Sequence, residues 1–266
     1  MSEVARYYDE LAAQEWERLG NHRTEFAVTG RALKDYLPEP PARIIDIGGG
    51  PGRYAIALAQ QEYDVTLVDI SPNSLSFAKA RAAEAGVKLA DCICACATDL
   101  SQFQAESFEA ALLMGPLYHL LEEEERRKAI CEAARLLKPG APIFASFTTR
   151  YAPCSFAAKY YPEKLAEENR DFRIMLETGV YRPVSGQGWT HAYFAHPSEV
   201  RPLLESCGFE SLDLIACEGI ISMIEEKVNE LTGEFWEEWV ELNYRIGKDP
   251  CVHGAAEHLL YVGRKH

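Results

Sequence analysis

The chain of 266 residues contains no apolar run approaching the roughly 18 residues of a membrane-spanning helix. Its first segment, MSEVARYYDELAAQEWERL, is charged and amphipathic, without the apolar stretch and small-residue cleavage site of a secretion signal. The expected location is therefore cytoplasmic, with no membrane partner. Basic residues are in deficit, 27 against 41 acidic ones, for a net charge of −14. With no segment that gathers lysine and arginine, such a chain repels a phosphate backbone, so nucleic acid is not an expected partner. Internal repeats and low-complexity tracts are also lacking. Eight cysteines are present, and in a reducing compartment they are expected to be thiols rather than a disulfide framework. The rest is ordinary globular composition, 47% hydrophobic and 26% charged, at a length suited to one elaborated domain or two small ones.

Periodicity divides the chain into four parts. Residues 1–42 form an N-terminal helical cap, with two helical stretches, VARYYDELAAQEWERL and RTEFAVTGRALKDYL, ended by the proline-rich PEPPAR. Residues 43–148 alternate between short apolar runs and amphipathic ones. Strands are predicted at Ile44 to Ile47, Asp64 to Val68, Lys88 to Cys96, Ala110 to Met114 and Pro142 to Phe147, with helices at Arg53 to Gln61, Ser71 to Ala85 and Glu122 to Leu137. Buried strands alternating with helices predict an α/β fold with a doubly wound, mostly parallel sheet. The rhythm lapses over 149–189, which reads as an inserted, mainly helical lid. Nine of the 44 residues from Tyr151 to Phe194 are aromatic, against 11% of the whole chain, which suits an enclosed apolar or aromatic ligand. Residues 190–266 return to the core with a helix at Pro197 to Ser206, a strand at Ser211 to Cys217, a helix at Ser222 to Leu242 and a last strand at His258 to Val262.

The most informative stretch is IIDIGGGPGRYAIALA, residues 44–59. A glycine-rich turn between a strand and a helix offers bare backbone and unpaired N–H groups to a ligand beyond the strand ends. About 20 residues later the strand VTLVD ends in Asp69, from which a carboxylate can accept both hydroxyls of an adenosine ribose. A dinucleotide and S-adenosylmethionine both suit this much. The dinucleotide pattern G-x-G-x-x-G starts at Gly48 and Gly50 but meets Arg53 at its third position, where close packing wants a small residue.

The pattern D-x-G-x-G-x-G at Asp46, Gly48, Gly50 and Gly52 instead resembles motif I of the class I S-adenosylmethionine-dependent methyltransferases. The resemblance implies a Rossmann-like seven-stranded sheet with closing antiparallel strands, and S-adenosyl-L-methionine as cofactor. It implies that Asp46 helps hold the methionine part, that Gly48, Gly49, Gly50 and Gly52 form the cradle, that Asp69 binds the ribose and that Ile70 packs on the adenine. CATDL (96–100) resembles the adenine-edge motif, with Cys96 in place of a frequent aspartate; Ala97 and Thr98 would offer backbone groups and Asp99 a carboxylate. FEAALLMGPLYHLL (108–121) is similar to motif IV and the loop after it, placing Met114 and Gly115 by the cofactor and Tyr118 and His119 on the active-site floor. Tyr7 and Tyr8 resemble an N-terminal pattern that caps the cofactor, with Tyr7 taken as the contact.

The implied activity is methyl transfer to an oxygen, nitrogen or sulfur nucleophile of a small, apolar or aromatic molecule. The candidate catalytic groups are His119, as base or hydrogen-bond donor, Tyr118 and His191. Three other readings stay open: a non-catalytic S-adenosylmethionine-binding protein, an NAD-dependent oxidoreductase, and a thiol or arsenite methyltransferase using Cys92, Cys94 or Cys96. Same-face residues of a strand lie about 6.6 Å apart, too far for three sulfurs to share one ion, so the cysteines of CICAC are expected to be small buried hydrophobes. No metal ligands are assigned.

Overall fold

A computed structural model of the chain describes residues 3–163, 169–182 and 190–266. Two helices lead, α1 (Glu3–Asn21) and α2 (Arg23–Tyr36). Then come β1 (Arg43–Ile47), α3 (Arg53–Ala59), β2 (Asp64–Asp69), α4 (Pro72–Glu84), β3 (Asp91–Cys94), β4 (Ala110–Leu113), α5 (Glu123–Leu136) and β5 (Pro142–Thr148). After β5 stand α6 (Ala152–Tyr160), α7 (Asn169–Thr178), the short pair β6 (Val180–Tyr181) and β7 (Ala192–Tyr193), and α8 (Pro197–Glu205). The chain closes with β8 (Phe209–Ala216), α9 (Glu225–Asn229), α10 (Gly233–Gly247) and β9 (His258–Lys265).

The main sheet has seven strands in the order β3-β2-β1-β4-β5-β9-β8. Strands β1 to β5 pair in parallel, and β9 runs antiparallel between β5 and β8. The central strands read as continuous apolar runs because both faces are covered by helices. Alternate residues serve opposite faces. Ile45, Ile47, Ala111, Leu113, Ile143 and Ala145 pack with α5 and α8, whereas Ile44, Ala110, Leu112 and Phe144 pack with α2, α3, α4 and α10. The strand order reverses between β1 and β4, and at that point a crevice opens beyond the carboxyl ends of the strands.

Local chemistry sets the helix starts around this crevice. Ser71 caps α4, its hydroxyl accepting from the Ser74 N–H, and Pro72 occupies the first turn. Asp9 of α1 reaches the same helix start, where its carboxylate accepts from the Ser71 hydroxyl at 2.9 Å and the Asn73 N–H at 3.0 Å. Arg53 donates to the Trp16 carbonyl at 2.8 Å, so α1 is tied to the start of α4 through Asp9 and to the start of α3 through Trp16.

Several expectations need correction. The third strand is Asp91–Cys94, shorter than the predicted Lys88 to Cys96. It is an edge strand of the sheet, with Cys94 exposed and Cys92 half-buried, and Cys96 beyond its end is exposed too, so the expected burial of these cysteines fails. The predicted helix Ser222 to Leu242 is broken into a 3₁₀ turn (Gly219–Ile224), α9 and α10. Thr232 adopts extended backbone and Gly233 a positive φ of 58°, which no continuing helix permits. The segment after Thr148 supplies α6 and α7 and also one strand of the β6–β7 pair. Among the described residues no helix is long and apolar enough to cross a membrane.

Candidate functional site

The turn after β1 is pinned to the end of β2: the N–H groups of Gly48 and Gly49 both donate to the Val68 carbonyl, at 2.7 and 3.3 Å. At Gly48, with φ of 71°, a Cβ would overlap the Pro116 ring of the turn after β4. The two turns flanking the crevice therefore meet backbone to side chain, an approach only glycine allows. Gly50 is different. Its φ is 54°, a Cβ there would meet nothing within 4 Å, and its N–H donates to Asp69 Oδ2 at 2.8 Å.

Two carboxylates stand below this turn. Asp46 is 1% exposed, and its Oδ2 has no hydrogen-bond partner among the described residues. Burial first, and the nearby Asp69 carboxylate second, push its pKa up to about 7. Asp69 is also raised by burial, opposed by the N–H groups of Ser71, Gly50 and Ile70. Asp69 Oδ1 accepts the Ser71 N–H and Oδ2 the Gly50 N–H, each at 2.8 Å, and the Ile70 N–H is also directed at the carboxylate, which keeps acceptor capacity to spare. A buried acid with an empty acceptor direction fits a ligand bearing positive charge there, and Asp69 fits a pair of hydroxyls. These residues suit the cofactor that the motif implies.

The carboxylates open on a cavity of about 360 Å³. Asp46, Gly48, Gly49, Gly50, Asp69 and Ile70 line one side, Ala97 and Thr98 the end, and Met114, Gly115, Tyr118, His119 and His191 the other side. Three expected contacts lie elsewhere. Gly52 packs against Ala78 of α4. Asp99 turns to Ser101, accepting from its hydroxyl at 2.8 Å, which holds its carboxyl below the usual range. Tyr7 is set aside in favour of its neighbour Tyr8, which lines the cavity together with Glu15, Arg53 and Tyr54. The only sequence signal for Tyr8 is its place in the Tyr-Tyr pair; Glu15 carried none.

His119 is the hub of the far wall. It is buried, and its Nδ1 lies 3.3 Å from the His191 carbonyl, which can only accept, so Nδ1 carries the proton. Nε2 then accepts from the Tyr8 hydroxyl at 2.6 Å. Burial holds the His119 pKa down at about 4, so the ring is neutral at physiological pH. Both nitrogens are engaged, and a proton-accepting role would have to pass through Tyr8. Tyr118 stacks edge-on against His119, with centroids 4.7 Å apart.

A second cavity, about 430 Å³, lies against the first and shares Tyr8, Glu15 and Tyr118 with it. Its walls are largely apolar. Of the nine aromatic residues between Tyr151 and Phe194, Phe156, Tyr161, Phe172, Tyr181 and Phe194 line it. Tyr151, Tyr160 and Tyr193 do not, and Trp189 lies outside the described residues. One end is polar, formed by His22, Glu257 and His258. No sequence pattern pointed to these three, which are distant in the chain and meet only in the fold.

Comparison with known proteins agrees with this geometry. Residues 44–140 match the family model described as a methyltransferase domain. Over 116 residues the chain is 34% identical to a ubiquinone biosynthesis O-methyltransferase of Xanthomonas axonopodis pv. citri, covering 44% of this chain and 46% of that protein. Over 151 residues it is 31% identical to a protein of the same name from Xanthomonas campestris pv. campestris, covering 55% and 61%. The chain thus spans about half to three fifths of the length of these curated relatives. A solved SAM-dependent methyltransferase from Methanosarcina mazei shares the fold, with a TM-score of 0.61 at 23% identity over 88% of this chain and 96% of that one. The family match falls on the strands and turns that wall most of the first cavity, so residues 44–140 are similar to a methyltransferase domain, and the fold is the one shared with the solved methyltransferase.

Proposed function

We propose that the protein transfers the methyl group of S-adenosyl-L-methionine to an oxygen, nitrogen or sulfur nucleophile of a small, largely apolar or aromatic acceptor. One observation carries this reading: the cavity walled by the motif residues and the aromatic cavity share Tyr8, Glu15 and Tyr118, so a ligand in each would meet there. The bound cofactor would supply a sulfonium methyl that is already activated, and the protein's task is alignment and exclusion of water. Asp46 would hold the methionine ammonium, Asp69 the ribose hydroxyls, Ile70 the adenine face, and Ala97 and Thr98 its edge. Tyr8, fixed by His119, and Tyr118 would orient the acceptor. The names of the curated relatives favour an oxygen acceptor. The net charge of −14 keeps nucleic acid out of the proposal.

The test is a thermal-shift comparison of wild type and Asp69→Ala with S-adenosylmethionine, S-adenosylhomocysteine and NAD. Ligand at about 100 times its dissociation constant adds roughly 2.7 kcal/mol of stability. A rise with the two sulfur compounds, lost in Asp69→Ala, is expected. A rise with NAD alone would overturn the reading in favour of an oxidoreductase. Cofactor binding with no methylated product from any acceptor would leave a binding protein without catalysis.

A further inference from the structure

The charged residues lining the aromatic cavity are acidic. Glu15, Asp171 and Glu257 line the cavity with His22 and His258, and among the described lining residues there is no lysine or arginine. Behind this wall lie Glu218, Glu225 and Glu25, at 0, 4 and 6% exposure. His258 Nδ1 is 2.6 Å from Glu218 Oε1 and 3.7 Å from Glu25 Oε2, and His22 Nδ1 is 3.3 Å from Glu225 Oε2. Glu225 Oε1 is buried and has no hydrogen-bond partner among the described residues. Among the described residues Glu25, Glu218, Glu225 and, through charge alone, Glu257 thus stand against His22 and His258. Lys159 on α6 does not line the cavity, but it sits 3.8 Å from Glu226 and close enough to Glu257 to feel its charge, so one cation stands beside this wall. Buried carboxylates in excess of cations are costly, and a cation arriving from the cavity would offset that cost.

Two kinds of cation could do so. The donor atoms of Glu25, Glu218 and His258 lie within 4.8 Å of one another, as metal ligands would. Yet Glu218 already accepts the N–H groups of Glu257 and His258 at 3.2 and 2.9 Å, besides the His258 ring, and neither Glu25 nor Glu218 reaches the cavity wall. The surface a ligand meets offers the Glu257 carboxylate in a cavity that Tyr161 and Phe172 also line, and a carboxylate together with aromatic rings is the chemistry that recognises ammonium groups.

We propose that the acceptor is a cationic amine, with its ammonium seated at Glu257 and an apolar or aromatic body running beneath α6 and α7 to Tyr8 and Tyr118. The nucleophile lies at that second end, because Tyr8 and Tyr118 border the cofactor cavity whereas Glu257, His22 and His258 do not. This rests on the methyltransferase reading, and it names the class of molecule that the reading left open.

The experiment is calorimetric titration of the protein, with and without saturating S-adenosylhomocysteine, using arylalkylamines of increasing chain length, the matching alcohols and the matching carboxylates. The amines should bind about tenfold or more tighter than their alcohols, with the carboxylates weakest. Glu257→Gln, which keeps an oxygen for the Ser222 hydroxyl, should erase that preference without changing the affinity for S-adenosylhomocysteine. Asp171→Asn on α7 provides a second variant, expected to weaken the amines in the same direction. Equal binding of amine and alcohol, or no amine binding at millimolar concentration, overturns the proposal. So does stabilisation by Mn²⁺ or Zn²⁺ alone that His258→Ala abolishes while amines have no effect. Amine preference in a protein that binds no S-adenosylhomocysteine would sink the methyltransferase reading; S-adenosylhomocysteine binding without amine preference would sink only the cationic acceptor.

Discussion

Asp46→Asn isolates the buried charge at the heart of the first cavity. The Asp46 carboxyl is fully buried, its Oδ2 is unpartnered, and its pKa stands at about 7 against 3.8 for the free side chain. A raised carboxyl pKa contributes stability that is fully present below the unfolded value of 3.8 and is lost as pH rises through about 7. At about 1.4 kcal/mol per pH unit, roughly 2–3 kcal/mol is lost between pH 5 and 8. Asparagine never ionises, so the variant escapes this loss. In a chain of this size about 1 kcal/mol moves the melting temperature by roughly 2–4 °C. Asp46→Asn should therefore melt several degrees higher relative to wild type at pH 8 than it does at pH 5, with no cofactor present. S-adenosylhomocysteine should reverse the order above neutral pH, since the ionised carboxylate would pair with its ammonium and the amide would not. A melting difference that does not change between pH 5 and 8 would refute the argument, because it would mean that Asp46 ionises as it does in water.

Further expectations concern the walls. Gly48→Ala should lower stability by about 2 kcal/mol or more, since its Cβ overlaps Pro116 at positive φ. Gly50→Ala should cost only about 1 kcal/mol of backbone strain yet weaken S-adenosylhomocysteine, because its Cβ meets no protein atom within 4 Å; equal melting losses in the two variants would count against this geometry. Tyr8→Phe leaves His119 Nε2 buried without its donor and should cost about 1–3 kcal/mol and reduce turnover, while Tyr7→Phe should change neither; chemical denaturation and product formation would show it. For His119, whose pKa is depressed to about 4, the neutral ring contributes stability that is fully present above 6.5 and lost as pH falls through about 4. Its ring resonances, followed by NMR, should show no protonation between pH 8 and 5, and a midpoint near 6.5 would contradict the burial argument.

Local chemistry was what the sequence could express. A glycine turn, an acid one strand later and alternating strand and helix periods depend on backbone conformation and near neighbours, and so the sequence by itself determined the parallel core and the crevice. The choice of Tyr8 over Tyr7 was decided by which face of α1 lies against His119, 111 residues away. The exposure of Cys94 followed from β3 being an edge strand, a matter of strand order that no short window contains. Asp99 left the cavity because Ser101, two residues on, captured it. The acidic end of the aromatic cavity came from tertiary structure alone. His22 and Glu25 stand at the start of α2, Glu225 starts α9, and Glu257 and His258 stand at the start of β9. Each reads in sequence as an ordinary surface charge. Only the packing of α2 against β9 and the turn after β8 removes them from water together, and burial is what makes the charges of common glutamates and histidines costly.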